Sequence, residues 1–108
     1  MKYNIGKEFC DTPAGREKSD GDFTGEHFRE DVLKVLIKNL SKNEKLVIIL
    51  DDAEGYGSSF LDEAFGGTVR QKYISSNKLL SLLEFEYEDE DFEFFENKIR
   101  EYIQSAEE

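Results

Sequence analysis

The chain has 108 residues, 25 acids against 14 bases, a formal charge of −11, one cysteine and one histidine. An acidic chain of this kind repels phosphate backbones, so nucleic acid is not an expected partner. One cysteine cannot form an internal disulfide, no apolar run reaches membrane length and no signal-peptide pattern opens the chain, so the expected setting is the cytoplasm.

The length fits a single domain over residues 1–108. Its charge is uneven. Met1 to Leu83 holds 14 acids and 12 bases, whereas Glu84 to Glu108 holds 11 acids and 2 bases. Within this acidic 84–108 segment, Glu84 to Glu96 reads as a solvated face, with a docking surface for a basic partner as the other reading.

Tyr3, Ile5 and Phe9 alternate roughly with polar residues, which predicts a half-buried strand. Residues 10–23 hold the only proline and two glycines and predict a long loop. Within it, Arg16, Lys18 and Ser19 are candidates to hold an anion or a partner carboxylate. Thr24 to Leu40 predicts a helix, with Thr24 as N-cap and Phe28, Val32, Leu33, Leu36, Ile37 and Leu40 recurring three and four apart.

Leu46 to Leu50 is a five-residue apolar run and predicts a central strand buried on both faces. Asp51 and Asp52 end it. They read as turn aspartates, and the alternative is a carboxylate pair for a divalent cation. Residues 53–57 predict a tight connection. Phe60, Leu61, Ala64, Phe65 and Val69 form the apolar stripe of the next helix. Ser59 and Asp62 fit a capping box, which would place two hydroxyls at a helix N-terminus beyond the carboxyl end of the central strand. Gly66 and Gly67 mark either close backbone packing or a kink or early end of that helix. Leu79 to Tyr87 predicts a second strand with one wet late half. Glu88 to Asp91 predicts the start of a last helix, with Ser105 to Glu108 frayed.

This order implies an α/β fold, a small mixed β-sheet with helices packed against it. No P-loop, nucleophile elbow or metal-ligand spacing is present, so neither an enzyme activity nor a cofactor is expected. His27 reads as a surface or capping-turn residue and Cys10 as an ordinary small apolar one.

The run Glu54-Gly55-Tyr56-Gly57-Ser58-Ser59-Phe60-Leu61-Asp62-Glu63-Ala64-Phe65-Gly66-Gly67 resembles the STAS-like family of unknown function. Arg16, Ser19-Asp20-Gly21 and Thr24 to Arg29 add to it. These are small bacterial domains related in fold to anti-sigma factor antagonists. The resemblance implies a regulatory serine at the helix after a central strand, phosphorylated by a serine kinase with a histidine-kinase-type ATPase fold. By position Ser58 matches that serine, Ser59 the next residue, and Asp51 the acid at the strand end. Gly57 stands where the wider motif has aspartate, and Phe60 where it has glycine.

The expected function is therefore a non-enzymatic regulatory interaction module. Its docking surface would comprise Gly57, Ser58, Ser59, Asp51, Asp52, Glu54, Arg16, Ser19 and Asp20. The alternative is a small-ligand module that holds a nucleotide or phosphate compound at the same helix start with Arg16 and Lys18. A third reading is an assembly subunit built on the Leu79–Tyr87 edge.

Overall fold

The computed structural model describes residues 1–106. Strands β1 (Lys2–Asn4), β2 (Leu46–Ile49) and β3 (Leu83–Glu86) form one sheet in that order. Both pairings are parallel, so the sheet is parallel throughout, not mixed. Parallel neighbours require crossovers. The first crossover is a continuous helix over residues 25–39, α-helical at Gly25–Phe28 and Lys34–Asn39 with a π-helical turn Arg29–Leu33 between. The second contains a helix over residues 58–70 of the same build, with its π-helical turn at Asp62–Gly66, followed by the helix Ser76–Leu82. A 3-10 turn, Glu90–Phe92, leads into the C-terminal helix Glu93–Ser105. The expected fraying at Ser105 to Glu108 lies partly outside the described residues; the helix holds through Ser105.

Register sorts the two faces. Tyr3, Ile48 and Phe85 share a row, and Leu46 pairs with Leu83. Their face meets the helices, with Leu46 and Ile48 fully buried. The core continues through Phe28, Leu33, Phe60, Leu61, Ala64, Phe65, Leu79, Ile99 and Ile103. Each large side chain buried there contributes roughly 1.5–3 kcal/mol. The opposite face carries Lys2, Asn4, Glu84 and Glu86 around half-buried Val47 and Ile49. Lys2 Nζ reaches Glu86 Oε1 at 3.1 Å, linking the two outer strands over this face. The central strand is thus buried on one face only; the charged neighbours set by register keep the other wet.

Two predicted strands are shorter than expected. After Asn4 the chain turns into the short helix Ile5–Glu8, because Asn4 Oδ1 accepts from the Lys7 amide at 3.1 Å and Glu8 accepts from the Asn4 amide at 2.7 Å. Leu79 to Leu82 is helical. Ser75 caps that helix by accepting from the Lys78 amide at 3.2 Å, which leaves only Leu83–Glu86 as edge strand. A leucine-rich run carries no period that separates the two states.

Gly66 and Gly67 do not end their helix, which continues to Arg70. A Cβ on Gly66 would lie 3.2 Å from the Tyr102 carbonyl oxygen, and one on Gly67 3.2 Å from Arg29 Cδ. Close packing on two sides is the reason for both. Gly25 does the same for the paired helices: its Cβ would lie 2.6 Å from the Phe60 carbonyl oxygen.

Candidate functional site

The structure brings the 10–23 loop onto the start of the 58–70 helix. The Glu54 amide donates to the Asp11 carbonyl at 2.8 Å, and the Gly57 amide to the Pro13 carbonyl at 3.4 Å. The loop also grips the other long helix. The Gly25 amide donates to Gly15 O and the Glu26 amide to Arg16 O, both at 2.9 Å. Gly15 has φ +95°, a conformation that favours glycine.

The predicted capping box is absent. Gly57 is the N-cap, its carbonyl accepting from the Leu61 amide at 3.1 Å, and no side chain caps the first turn. Ser58 and Ser59 therefore lie inside the helix, both exposed, and neither hydroxyl is hydrogen-bonded among the described residues. Gly57 has φ −67° and space for a Cβ beside Ala14 at 3.6–3.7 Å, so its backbone does not require glycine.

Asp62 and Glu63 take part in an ion network instead. Arg16 Nη1 donates to Asp62 at 2.8 Å and to Glu63 at 3.4 Å. Arg70 Nη1 donates to the other Asp62 oxygen at 3.1 Å. Arg29, whose side chain is 5% exposed, pairs with Glu63 and with Glu30 at 3.3 Å. Its Nε has no partner among the described residues. Burial alone would push the Arg29 guanidinium down, but the Tyr73 hydroxyl and Glu63 raise it, and the net direction is up. Burial pushes the Asp62 carboxyl up, while its bonds to Arg16 and Arg70 hold it below the usual aspartate range. Hydrogen bonding to Asp62 holds Arg16 above its ordinary value.

The remaining predicted residues have local partners. Asp51 accepts from the Glu88 amide at 2.7 Å and the Asp89 amide at 3.4 Å, tying the turn after β2 to the one after β3. Asp52 accepts from Asn4 Nδ2 at 2.5 Å and pairs with Lys7 at 3.8 Å. The two aspartates thus serve different turns, and among the described residues no cluster of ligand-type side chains is arranged to hold a metal ion. Glu54 is exposed. Asp20 accepts from the Arg16 and Glu17 amides at 3.2 and 2.9 Å within the 3-10 turn Lys18–Asp20, which leaves Ser19 exposed on that turn. Lys18 pairs with Glu30 at 2.7 Å. Both cations proposed for a phosphate ligand are therefore held by carboxylates.

Sequence reasoning missed Pro13, Arg29, Asp62, Glu63 and Arg70 as site residues. Arg29 and Glu63 are 34 residues apart, and no local pattern signals such a pair. The paired acids one turn after Ser58 and Ser59 did offer a signal, since residues four apart share a helix face.

No helix among the described residues is long and apolar enough to cross a membrane. Comparison with curated proteins and with solved structures gives no significant match. Comparison with protein families matches residues 24–93 to the STAS-like domain of unknown function (DUF4325), which leaves Arg16 and Ser19 to Gly21 outside the matched stretch. With strands β2 and β3, the crossover helices and the Gly-Ser-Ser helix start inside those residues, the chain belongs to this family of STAS-like domains of unknown function.

Proposed function

We propose that the chain is a non-enzymatic docking module. It engages a protein partner through the Ser58–Ser59 helix start and the 10–23 loop laid against it. The observation that carries this reading is the pair of exposed, unbonded hydroxyls at the head of a helix that is capped by Gly57 and not by either serine. A capping serine is explained by the fold; these two are not. The reaction-capable side chains nearby are held by other groups: His27 Nδ1 by the Asp22 carbonyl at 2.8 Å, and Cys10 Sγ by the Thr12 amide at 3.4 Å. That supports docking over catalysis.

Phosphorylation of Ser58 is the regulation this surface suits. It would add about −1.5 to −2 charges at a helix start, where free amides favour an anion. The new charge would stand one helical turn from Asp62 and compete with it for Arg16. The partner class implied by the family resemblance is a kinase-like ATPase.

The test is quantitative affinity capture from native-host lysate with wild type, Ser58→Ala/Ser59→Ala and Ser58→Asp/Ser59→Asp as baits, and mass measurement of the recovered bait. A protein retained by wild type and lost from the aspartate pair is expected. Equal capture by all three baits overturns the reading.

A further inference from the structure

The molecule keeps its charges at two ends. Between Val32 and Leu50, four lysines face one acid, Glu44, and between Ala64 and Leu83 three bases face none. Glu84 to Glu96 holds eight acids and no base. Because β2 and β3 are parallel, the loops before them share one end of the sheet and the loops after them share the other.

At the amino end lies a groove of about 610 Å³ between the end of the 25–39 helix, the turn into β2 and the Ser76–Leu82 helix. Its floor includes Ile37, Leu40 and Leu82, and its rim carries Lys42, Lys45 and Lys78. Lys45 Nζ donates to the Ser81 carbonyl, which holds that side chain at the rim. The one acid in the lining, Glu44, is already bound by the Ser41 amide at 2.9 Å and the Met1 amino group at 3.0 Å. An apolar floor with unanswered lysines calls for an occupant that is both apolar and acidic.

At the carboxyl end the chain carries such an element. Phe94 is 60% exposed, the most exposed large apolar side chain among the described residues. It leans edge-on against Phe95 at 5.6 Å, at the first turn of the C-terminal helix. Glu90, Asp91 and Glu93 beside it are all exposed, and the nearest cation recorded over the ring is Lys98, at 5.6 Å.

We propose that the lysine-rimmed groove receives the Phe94 helix start of a second copy of this chain. Phe94 covers the apolar floor, and its flanking acids meet Lys42 and Lys78. The two surfaces differ and lie at opposite ends of the sheet, so the contact is head-to-tail and a dimer retains one free groove on one copy and one free Phe94 on the other. The charge of −11 on each copy opposes association, which places assembly at high protein concentration.

Sedimentation of the full chain from micromolar to millimolar concentration tests this. The mean mass of wild type is expected to rise with concentration. Phe94→Ser, which lacks the anchor, and Lys42→Glu/Lys78→Glu, which lacks the groove, are each expected to stay monomeric. All changed positions are exposed, and circular dichroism of both variants is the control for folding. An equimolar mixture of the two variants has one intact groove and one intact anchor, so it is expected to form dimers and nothing larger. A wild type that stays monomeric at millimolar concentration overturns the proposal. So does assembly that survives either variant, or a mixture that stays monomeric.

Discussion

The two long helices share a plan and differ at their starts. Each opens with four α-helical residues, passes through a five-residue π-helical turn and returns to α-helix. They touch through Gly25 at one helix start and through Arg29 and Glu63 in the two π-helical turns. At the start of the 25–39 helix, buried Thr24 accepts from the His27 amide at 3.4 Å. At the start of the 58–70 helix, the cap is a glycine and the hydroxyls after it point to solvent. One hydroxyl is consumed by the fold; the other two are left over. That contrast is the basis for proposing Ser58 and Ser59 as a docking surface.

The largest expected effect comes from where the helices meet. Glu63→Ala removes the main partner of the nearly buried Arg29. Breaking a buried pair costs about 3–5 kcal/mol, and Glu30 at 3.3 Å keeps the loss near the lower limit. Urea unfolding measures it. Arg16→Ala is the control: Arg16 is 40% exposed, so the loss is expected below about 1 kcal/mol. Equal losses would mean that the loop, not the helix pair, holds Glu63. Gly25→Ala comes next. Its methyl would press on the Phe60 carbonyl oxygen and on Glu63 Cβ, at 2.6 and 2.7 Å, and overpacking of this kind costs about 1–3 kcal/mol.

The comparison itself is broken or sharpened by removing the hydroxyls. Thr24→Ala loses a cap and is expected to cost about 1 kcal/mol. Ser58→Ala and Ser59→Ala remove exposed groups without partners and are expected to stay within about 0.5 kcal/mol of wild type. Thermal melts of the three variants suffice. If a serine variant costs as much as Thr24→Ala, that serine caps its helix and the case for a docking hydroxyl falls.

Local chemistry carried much of this into the sequence. The Thr24 cap, the apolar spacing from Phe28 to Leu40, the strand at Leu46 and the strand–turn–helix order around Ser58 are all legible, because each depends on residues close in the chain. The wet face of β2 is not. It depends on register, which sets Val47 beside Lys2 and Glu84. The capping box fails because the helix is capped two residues before Ser59: the Gly57 amide donates to the Pro13 carbonyl of a distant loop, and Gly57 is the cap. In the sequence Arg16 reads as a cation free for a ligand; only the fold reveals that Asp62 and Glu63 occupy it.

The smallest effect tests whether Arg16 and Asp62 hold the loop in solution. Burial raises the Asp62 carboxyl, and its bonds to Arg16 and Arg70 lower it further than burial raises it. A carboxyl depressed in the folded state stabilises the fold above its ordinary pKa of 3.8, and that contribution is lost as pH falls through the depressed value. The loss therefore lies on the acid side, below about pH 4. Acidification also relieves the repulsion of a chain charged −11, which acts in the opposite direction and masks the effect in wild type alone. The difference between wild type and Asp62→Asn cancels that common term. The amide of the variant cannot titrate, so the stability gap between the two proteins is expected to be constant above about pH 5 and to close as pH falls below about 4. A gap that stays constant down to acid unfolding would mean that Asp62 is not selectively stabilised as a carboxylate, and the loop would then be held at this helix by the Asp11 and Pro13 carbonyls and the Arg16–Glu63 pair.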